Sequence, residues 1–304
     1  MRLIISYIQK YFQQVDKRNL ALTSLLAGSL IFLNYFFKID SWISSHDSFS
    51  INFTYRYFIF LLAFAIPYLF YLVISGKNYF NSRLFFFLIL IAPAIFSLKI
   101  ALNIPFHFTD KSDWNNYWSQ VFYWPVLLVI VVSILFIIWK SFYKEQSFFG
   151  ATKKNFQWKP YLLMLLIMLP LISIASTQPD FQDMYPKLKS IIGVYSESNL
   201  HWWHKLLFEL SYGSDFIGIE LFFRGFLILA FIKWAGKDAI LPMACFYCTI
   251  HFGKPLGECI SSYFGGMILG IVVYNTRSIV GGLMVHLGIA WMMEIGGYLG
   301  NAIK

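Results

Sequence analysis

The amino-acid sequence predicts an all-α fold, a polytopic transmembrane helical bundle of eight or nine spans. The first observation is compositional: 58% of the residues are hydrophobic and only 13% are charged, whereas soluble domains carry about 25% charged residues. The second is a succession of apolar runs long enough to cross a bilayer as helices, which takes about 17–25 residues. In such a chain the net charge of +9 reflects basic loop residues. We therefore expect the lipid bilayer, and no nucleic acid, as a partner.

Each predicted span corresponds to one apolar run. The runs lie at residues 20–37, 56–75, 84–103, 119–139, 160–177, 207–232, 239–252, 256–274 and 278–300. The seventh run is short, so it could be half-buried or re-entrant, which leaves the count at eight or nine. The first run follows a basic, partly polar segment without a small-residue cleavage pattern, and we expect it to remain as a permanent span.

The basic residues predict the orientation of the chain, because cytoplasmic loops are enriched in Lys and Arg. These residues are concentrated in the N-terminal segment and in the loops after the second, fourth, sixth and eighth runs. The alternate loops contain most of the loop aspartates, together with several lysines. We therefore expect a cytoplasmic N-terminus.

Ionisable residues divide the chain into two predicted regions. Residues 1–200 contain about five spans and an interfacial loop, and the bodies of these spans carry almost no ionisable side chain except Lys99. Residues 201–304 place many more in or beside apolar segments: Glu209, Asp215, Glu220, Arg224, His251, Glu258, His286 and Glu294. Because polar side chains are costly in a membrane, we expect residues 201–304 to be the functional half.

Glu220 and Arg224 are the most informative pair in this half. They stand one helical turn apart within the apolar stretch 216–227. A single charged side chain at the bilayer centre costs about 2.5–3.5 kcal/mol on insertion scales. Either the two residues neutralise each other as a structural i,i+4 ion pair, or they take part in chemistry.

Two histidines on other apolar segments, His251 and His286, favour chemistry. A carboxylate can act as a general base toward water, and an imidazole can move a proton, polarise a carbonyl or bind a metal. A lone histidine in a membrane segment is usually a packing residue, but two of them with a Glu–Arg pair on neighbouring spans predict a catalytic or transport site. The alternative is a set of polar side chains that only hold the helices together.

Three segments resemble, in order and spacing, the motifs of the CPBP family of intramembrane proteases (CAAX proteases and bacteriocin-processing proteins, also called Abi). Glu220–Gly225 is similar to the first motif, Glu-Glu-x-x-x-Arg, often followed by Gly. Tyr247–His251 is similar to the second, Phe-x-x-x-His, and His286–Ala290 to the third, His-x-x-x-Asn. The resemblance covers about residues 205–300 and implies that residues 201–304 form a catalytic-type transmembrane domain.

The resemblance implies proteolysis within the membrane. Glu220 would be the base or a carboxylate that supports the base, and Arg224 its charge partner. His251 would assist the activation of water, and His286 would donate to the oxyanion. Family members include type II prenyl-protein proteases and bacterial proteins linked to bacteriocin maturation or self-immunity. We therefore expect a peptide or lipidated protein as substrate and a bacterial plasma membrane as the location.

Two positions depart from the family pattern. The first acidic position of the first motif is Ile219, and the amide position of the third motif is Ala290. Adjacent helix residues point about 100° apart, so Glu220 would not reach the point that a carboxylate at 219 reaches. Glu258, which follows His251 after a tight turn, is the candidate replacement carboxylate. A carboxylate in the first turn of a helix is, however, also favoured by the helix dipole alone.

The sequence requires no cofactor, but a divalent metal such as zinc is an alternative. Cys245, Cys248 and His251 follow one another at three-residue intervals, and His286 could supply a fourth ligand. Three-residue steps drift about 60° per step around a helix, so these side chains cannot converge well.

Three functions remain open. The first is a divergent CPBP-type enzyme, similar to CAAX prenyl endopeptidases, that cuts a membrane-associated or prenylated peptide. The second is a catalytically inactive family member that acts as a membrane binding or bacteriocin-immunity protein, which the residues at 219 and 290 favour. The third is a small proton-coupled transporter. An internally repeated pattern of spans would favour a transporter, and the sequence does not show one.

Overall fold

The computed structural model describes residues 2–154, 156–196 and 200–302. The described residues are 82% helical and include no β-strand, which confirms the predicted all-α fold. Seven of their helices are long and apolar enough to cross a membrane. The chain is therefore an integral, multi-pass membrane protein.

The helices follow the order of the apolar runs. They are α1 (Arg2–Gln14), α2 (Lys17–Phe37), α3 (Ile39–Ser44), α4 (Phe49–Ser75), α5 (Arg83–Ala101), α6 (Ser112–Phe142), α7 (Trp158–Ala175), α8 (Pro179–Met184), α9 (Ile192–Ser196), α10 (Trp202–Glu220), α11 (Ile232–Ala235), α12 (Ile240–Thr249), α13 (Leu256–Thr276) and α14 (Val280–Ala302). A π-helical stretch, Leu221–Ala230, continues α10 without a break.

Two of the expected runs do not form a single long α-helix. The run expected at 207–232 becomes α10 followed by the π-helical stretch. The run expected at 239–252 forms only the ten-residue helix α12. Ten residues span about 15 Å, half of a hydrocarbon core that is about 30 Å thick. The seventh run, for which a full span and a half-buried or re-entrant segment were both open, therefore forms a helix too short to be a full span.

The helix α12 lies at the centre of the bundle, and all ten of its residues are buried. It contacts α2, α4, α13 and the π-helical stretch. Phe246 on α12, for example, packs against Phe60 on α4 and Phe222 in the π-helical stretch. Because helices from both predicted regions surround α12, its side chains face protein rather than lipid. Polar groups on this helix can therefore be retained at membrane depth.

Two features of the N-terminal region were not predicted. The helix α1 buries Ile4 and Tyr11 and contacts α13. The ammonium of Lys99 on α5 lies 2.9 Å from a carboxylate oxygen of Asp215 on α10, and both residues are buried. This ion pair joins the two predicted regions, and it accounts for the one ionisable side chain noted in the bodies of the first five spans.

The described part of the connector between α7 and α10 (residues 176–191) folds back onto α14. The backbone N–H of Lys187 donates to Oε2 of Glu294 at 2.8 Å, and the ammonium of Lys189 donates to the side-chain oxygen of Asn301 at 3.0 Å. Gly297 permits this approach, because a Cβ there would lie 2.5 Å from the carbonyl carbon of Tyr185. The connector is thereby held close to the half of the chain that carries the candidate site.

Candidate active site

Glu220 and Arg224 form the ion pair that their spacing predicts. Oε1 of Glu220 lies 3.1 Å from Nη1 of Arg224, and the two side chains are 0% and 1% exposed. Glu220 ends α10, and Arg224 lies in the π-helical stretch. Such π-helical turns occur frequently at functional sites. The pair thus combines full burial of two opposite charges with an uncommon backbone conformation.

His286 on α14 binds the same carboxylate. Its Nδ1 lies 2.8 Å from Oε1 of Glu220. Since a carboxylate oxygen accepts, Nδ1 carries the hydrogen, and the lone pair of the neutral ring is on Nε2. Gly282 makes room for the carboxylate, because a Cβ there would lie 2.7 Å from Oε2 of Glu220. This Oε2 has no hydrogen-bond partner among the described residues, so it keeps an unused acceptor position.

Tyr247 on α12 completes the cluster. Its hydroxyl lies 3.0 Å from Nε2 of His286, and the guanidinium carbon of Arg224 lies 3.9 Å from the centre of its ring. The motif comparison does not single out this residue, because tyrosine stands where the family motif has phenylalanine. The available signal was a hydroxyl in an otherwise apolar segment, which needs a partner when buried.

His251 lies directly after α12 and is 7% exposed. Its Nδ1 is 3.0 Å from the backbone oxygen of Tyr247, and the two rings are 4.8 Å apart. A backbone carbonyl only accepts, so Nδ1 is protonated and Nε2 carries the lone pair. Tyr35 on α2 fixes the turn that follows, since its hydroxyl donates to the backbone oxygen of Lys254 at 2.5 Å. No hydrogen bond between described residues joins His251 to Glu220. They are connected indirectly: the backbone oxygen of Tyr247 bonds His251, and its hydroxyl bonds His286, which bonds Glu220.

Glu258 lies on the neighbouring turn and is not turned toward water. Its side chain is 15% exposed. The ammonium of Lys254 donates to Oε1 at 2.6 Å, and the hydroxyl of Tyr185 donates to Oε2 at 3.0 Å. Both charges act electrostatically on His251. Each oxygen of Glu258 is thus already bonded to another side chain.

Glu209 and Glu294 form a second carboxyl cluster between α10 and α14. Oε2 of Glu209 and Oε1 of Glu294 have no hydrogen-bond partner among the described residues. The neighbouring Lys187, in the connector and outside the spans, is also affected by its surroundings. Burial is the main cause that lowers the pKa of Lys187 from 10.5 to about 8, with a smaller contribution from the charge of Lys254.

The side chains considered as zinc ligands do not come together. Among the described residues, no group of three or more His, Cys, Asp or Glu side chains is arranged to hold a metal ion. Both ring nitrogens of His286 are bonded within the protein. The thiol of Cys259 donates to the backbone oxygen of Cys248 at 3.6 Å. The donors among the residues that the structure describes therefore do not fit a zinc centre.

Comparison with known proteins supports the resemblance found in the motifs. Residues 203–292 match the family model described as type II CAAX prenyl endopeptidase Rce1-like. The matched segment contains all of the proposed site residues: Glu220, Arg224, His251, Glu258 and His286. Residues 203–292 are therefore similar to the CPBP/CAAX protease family. Neither the curated proteins nor the solved structures gave a match.

Proposed function

We propose that the chain is an intramembrane endopeptidase of the CPBP/CAAX-protease type, which cleaves a membrane-associated or prenylated peptide. The observation that supports this most directly is the buried series of contacts from Arg224 through Glu220 to His286. An imidazole oriented by a carboxylate is a recurrent arrangement in hydrolytic sites. If the Glu220–Arg224 pair served only helix packing, Glu220 would not need His286 as a further partner.

His251 is the group best placed to take a proton from water. Its lone pair is on Nε2, because Nδ1 donates to the backbone oxygen of Tyr247. As this nitrogen accepts the proton, the water oxygen bonds to the substrate's carbonyl carbon, and the carbonyl π electrons move to the oxygen. Burial of the ring disfavours the imidazolium that forms; of the two nearby charges, the ammonium of Lys254 also opposes it and the carboxylate of Glu258 stabilises it.

Glu220 and Arg224 act through His286 and through the position of the attacking water. Glu220 fixes the orientation and the tautomer of His286 through the hydrogen bond at Nδ1. Arg224 balances the charge of Glu220, so that a carboxylate can be retained in a buried position. The second oxygen of Glu220 can hold the attacking water. When the C–N bond breaks, the proton held by His251 passes to the leaving nitrogen.

The test is cleavage of a fluorogenic, prenylated peptide by the purified protein in liposomes. We expect Glu220→Gln and His251→Ala to reduce the rate by about 10²-fold or more, the range of general acid–base catalysis. His107→Ala is the matched control, because that side chain is 76% exposed in a loop. Cleavage by the first two variants at the rate of this control would refute the assignment.

A catalytically inactive membrane binding or immunity protein is the second candidate. The residues at two motif positions favour it: Ile219 is half-buried against the core, and Ala290 is buried beside Tyr212 and Phe216. Neither side chain offers a polar group. An Ile219→Glu variant that cleaves the peptide while the natural chain does not would establish this alternative.

A further inference from the structure

We infer that the hydroxyl of Tyr247 is a catalytic hydrogen-bond donor that replaces the side-chain amide missing at Ala290. The inference rests on the proposed function, because the group it stabilises is the oxyanion of the tetrahedral intermediate. The family motif has phenylalanine at the position of Tyr247, so this hydroxyl is an addition to the motif.

The hydroxyl lies next to the imidazole that the family uses near the oxyanion. It is 3.0 Å from Nε2 of His286, whereas Glu220 is bonded to Nδ1. Both ring nitrogens of His286 are therefore engaged, and a substrate oxygen that approaches Nε2 meets the hydroxyl of Tyr247. Ala290, one turn after His286 on the same helix face, has no side-chain donor to offer.

The ring of Tyr247 is held rigidly, as a preorganised donor must be. The guanidinium carbon of Arg224 lies 3.9 Å from the ring centre, and Phe223 makes an edge contact with centres 5.0 Å apart. Gly266 on α13 admits the ring, because a Cβ there would lie 2.8 Å from Cδ1 of Tyr247. Tyr247 is 4% exposed, so bulk water competes little for its hydroxyl.

The donation needs no chemical change in the tyrosine. In the resting site the O–H points to Nε2 of His286, which carries the lone pair. As negative charge develops on the substrate oxygen, the hydroxyl hydrogen turns from Nε2 to that oxygen. No bond to Tyr247 forms or breaks, and the hydrogen returns to Nε2 when the intermediate collapses.

The first experiment compares Tyr247→Phe with Tyr143→Phe in the liposome assay. The control also loses a buried hydroxyl, which donates to the backbone oxygen of Ala230 at 3.2 Å and does not contact the site. We expect Tyr247→Phe to lower kcat by about 10²-fold, as removal of an oxyanion donor does, with KM and the melting temperature close to those of the wild type. An unchanged kcat would overturn the inference while the proposed function stands.

The second experiment does not depend on turnover. A peptide phosphonate, which mimics the tetrahedral anion, is compared with the amide peptide of the same sequence for binding to the wild type and to both variants. We expect Tyr247→Phe to weaken phosphonate binding by about 10²-fold and to leave amide binding nearly unchanged. Absence of cleavage by the wild type would reject the proposed function. Equal phosphonate affinities in wild type and Tyr247→Phe would separately reject the role of Tyr247.

Discussion

Oε1 of Glu220 accepts a hydrogen bond from Nδ1 of His286 at 2.8 Å, although the two residues are 66 positions apart in the sequence. This bond joins the end of α10 to α14, and it places two family motifs in direct contact. The same oxygen lies 3.1 Å from Arg224. The buried carboxylate of Glu220 is therefore the partner of both His286 and Arg224. Either partner can be removed by a separate substitution.

Replacing Arg224 with alanine is expected to destabilise the protein as well as inactivate it. The change leaves the carboxylate of Glu220 buried without its charge partner, at a cost of about 3–5 kcal/mol. The double variant Glu220→Gln/Arg224→Met removes both charges and should be less destabilised than Arg224→Ala alone. Unfolding in detergent measures both, and a single variant as stable as the wild type would contradict a buried charge pair.

Replacing Gly282 with alanine is expected to displace the carboxylate of Glu220. The added Cβ would lie 2.7 Å from Oε2, so the carboxylate must move away from its present position. Such misplacement of a reacting group can cost about 10²-fold in rate. The matched control is Gly265→Ala on α13, where an added Cβ meets no atom within 4 Å. Gly265→Ala should keep its activity, and its free energy of unfolding should rise by up to about 1 kcal/mol because alanine has the higher helix propensity. Equal activities of the two variants would show that Gly282→Ala does not displace Glu220.

The helices and the Glu220–Arg224 pair could be predicted because both depend on local spacing. An apolar run of sufficient length has few alternatives in a membrane, and residues four apart on a helix meet whatever the tertiary structure. The run at 239–252 was visibly shorter than the others, but the ten-residue length of α12 was not predicted.

The contacts between helices could not be predicted in the same way. Whether the hydroxyl of Tyr247 meets His286, or Lys99 meets Asp215, depends on which helix faces pack together. Several of these approaches are permitted by glycines, such as Gly266 and Gly282, whose importance is visible only when the neighbouring side chain is known. The pairing of Glu258 with Lys254 was in principle readable from their i,i+4 spacing.

Lys187 is expected to make the stability depend on alkaline pH. Its pKa is lowered from 10.5 to about 8 in the folded protein, mainly by burial, so folding favours the neutral amine. The folded state is penalised below about pH 8, and the penalty is relieved as the pH rises toward 10.5, the value of the unfolded chain. The melting temperature of the wild type relative to Lys187→Met should therefore rise across this window. A difference that stays constant with pH would show that the amine is solvated.

Glu258→Gln separates two roles of that carboxylate. Both of its oxygens are bonded, to Lys254 at 2.6 Å and to Tyr185 at 3.0 Å, so we expect it to act on His251 through charge and not by binding water. The single change leaves the Lys254 ammonium unbalanced beside His251, which disfavours protonation of the imidazole and should lower activity by about 10-fold or more. Adding Lys254→Met removes the second charge and should restore most of the activity, as measured in the liposome assay. A double variant that stays inactive, with its melting temperature preserved, would instead show that Glu258 is the replacement carboxylate for the position held by Ile219.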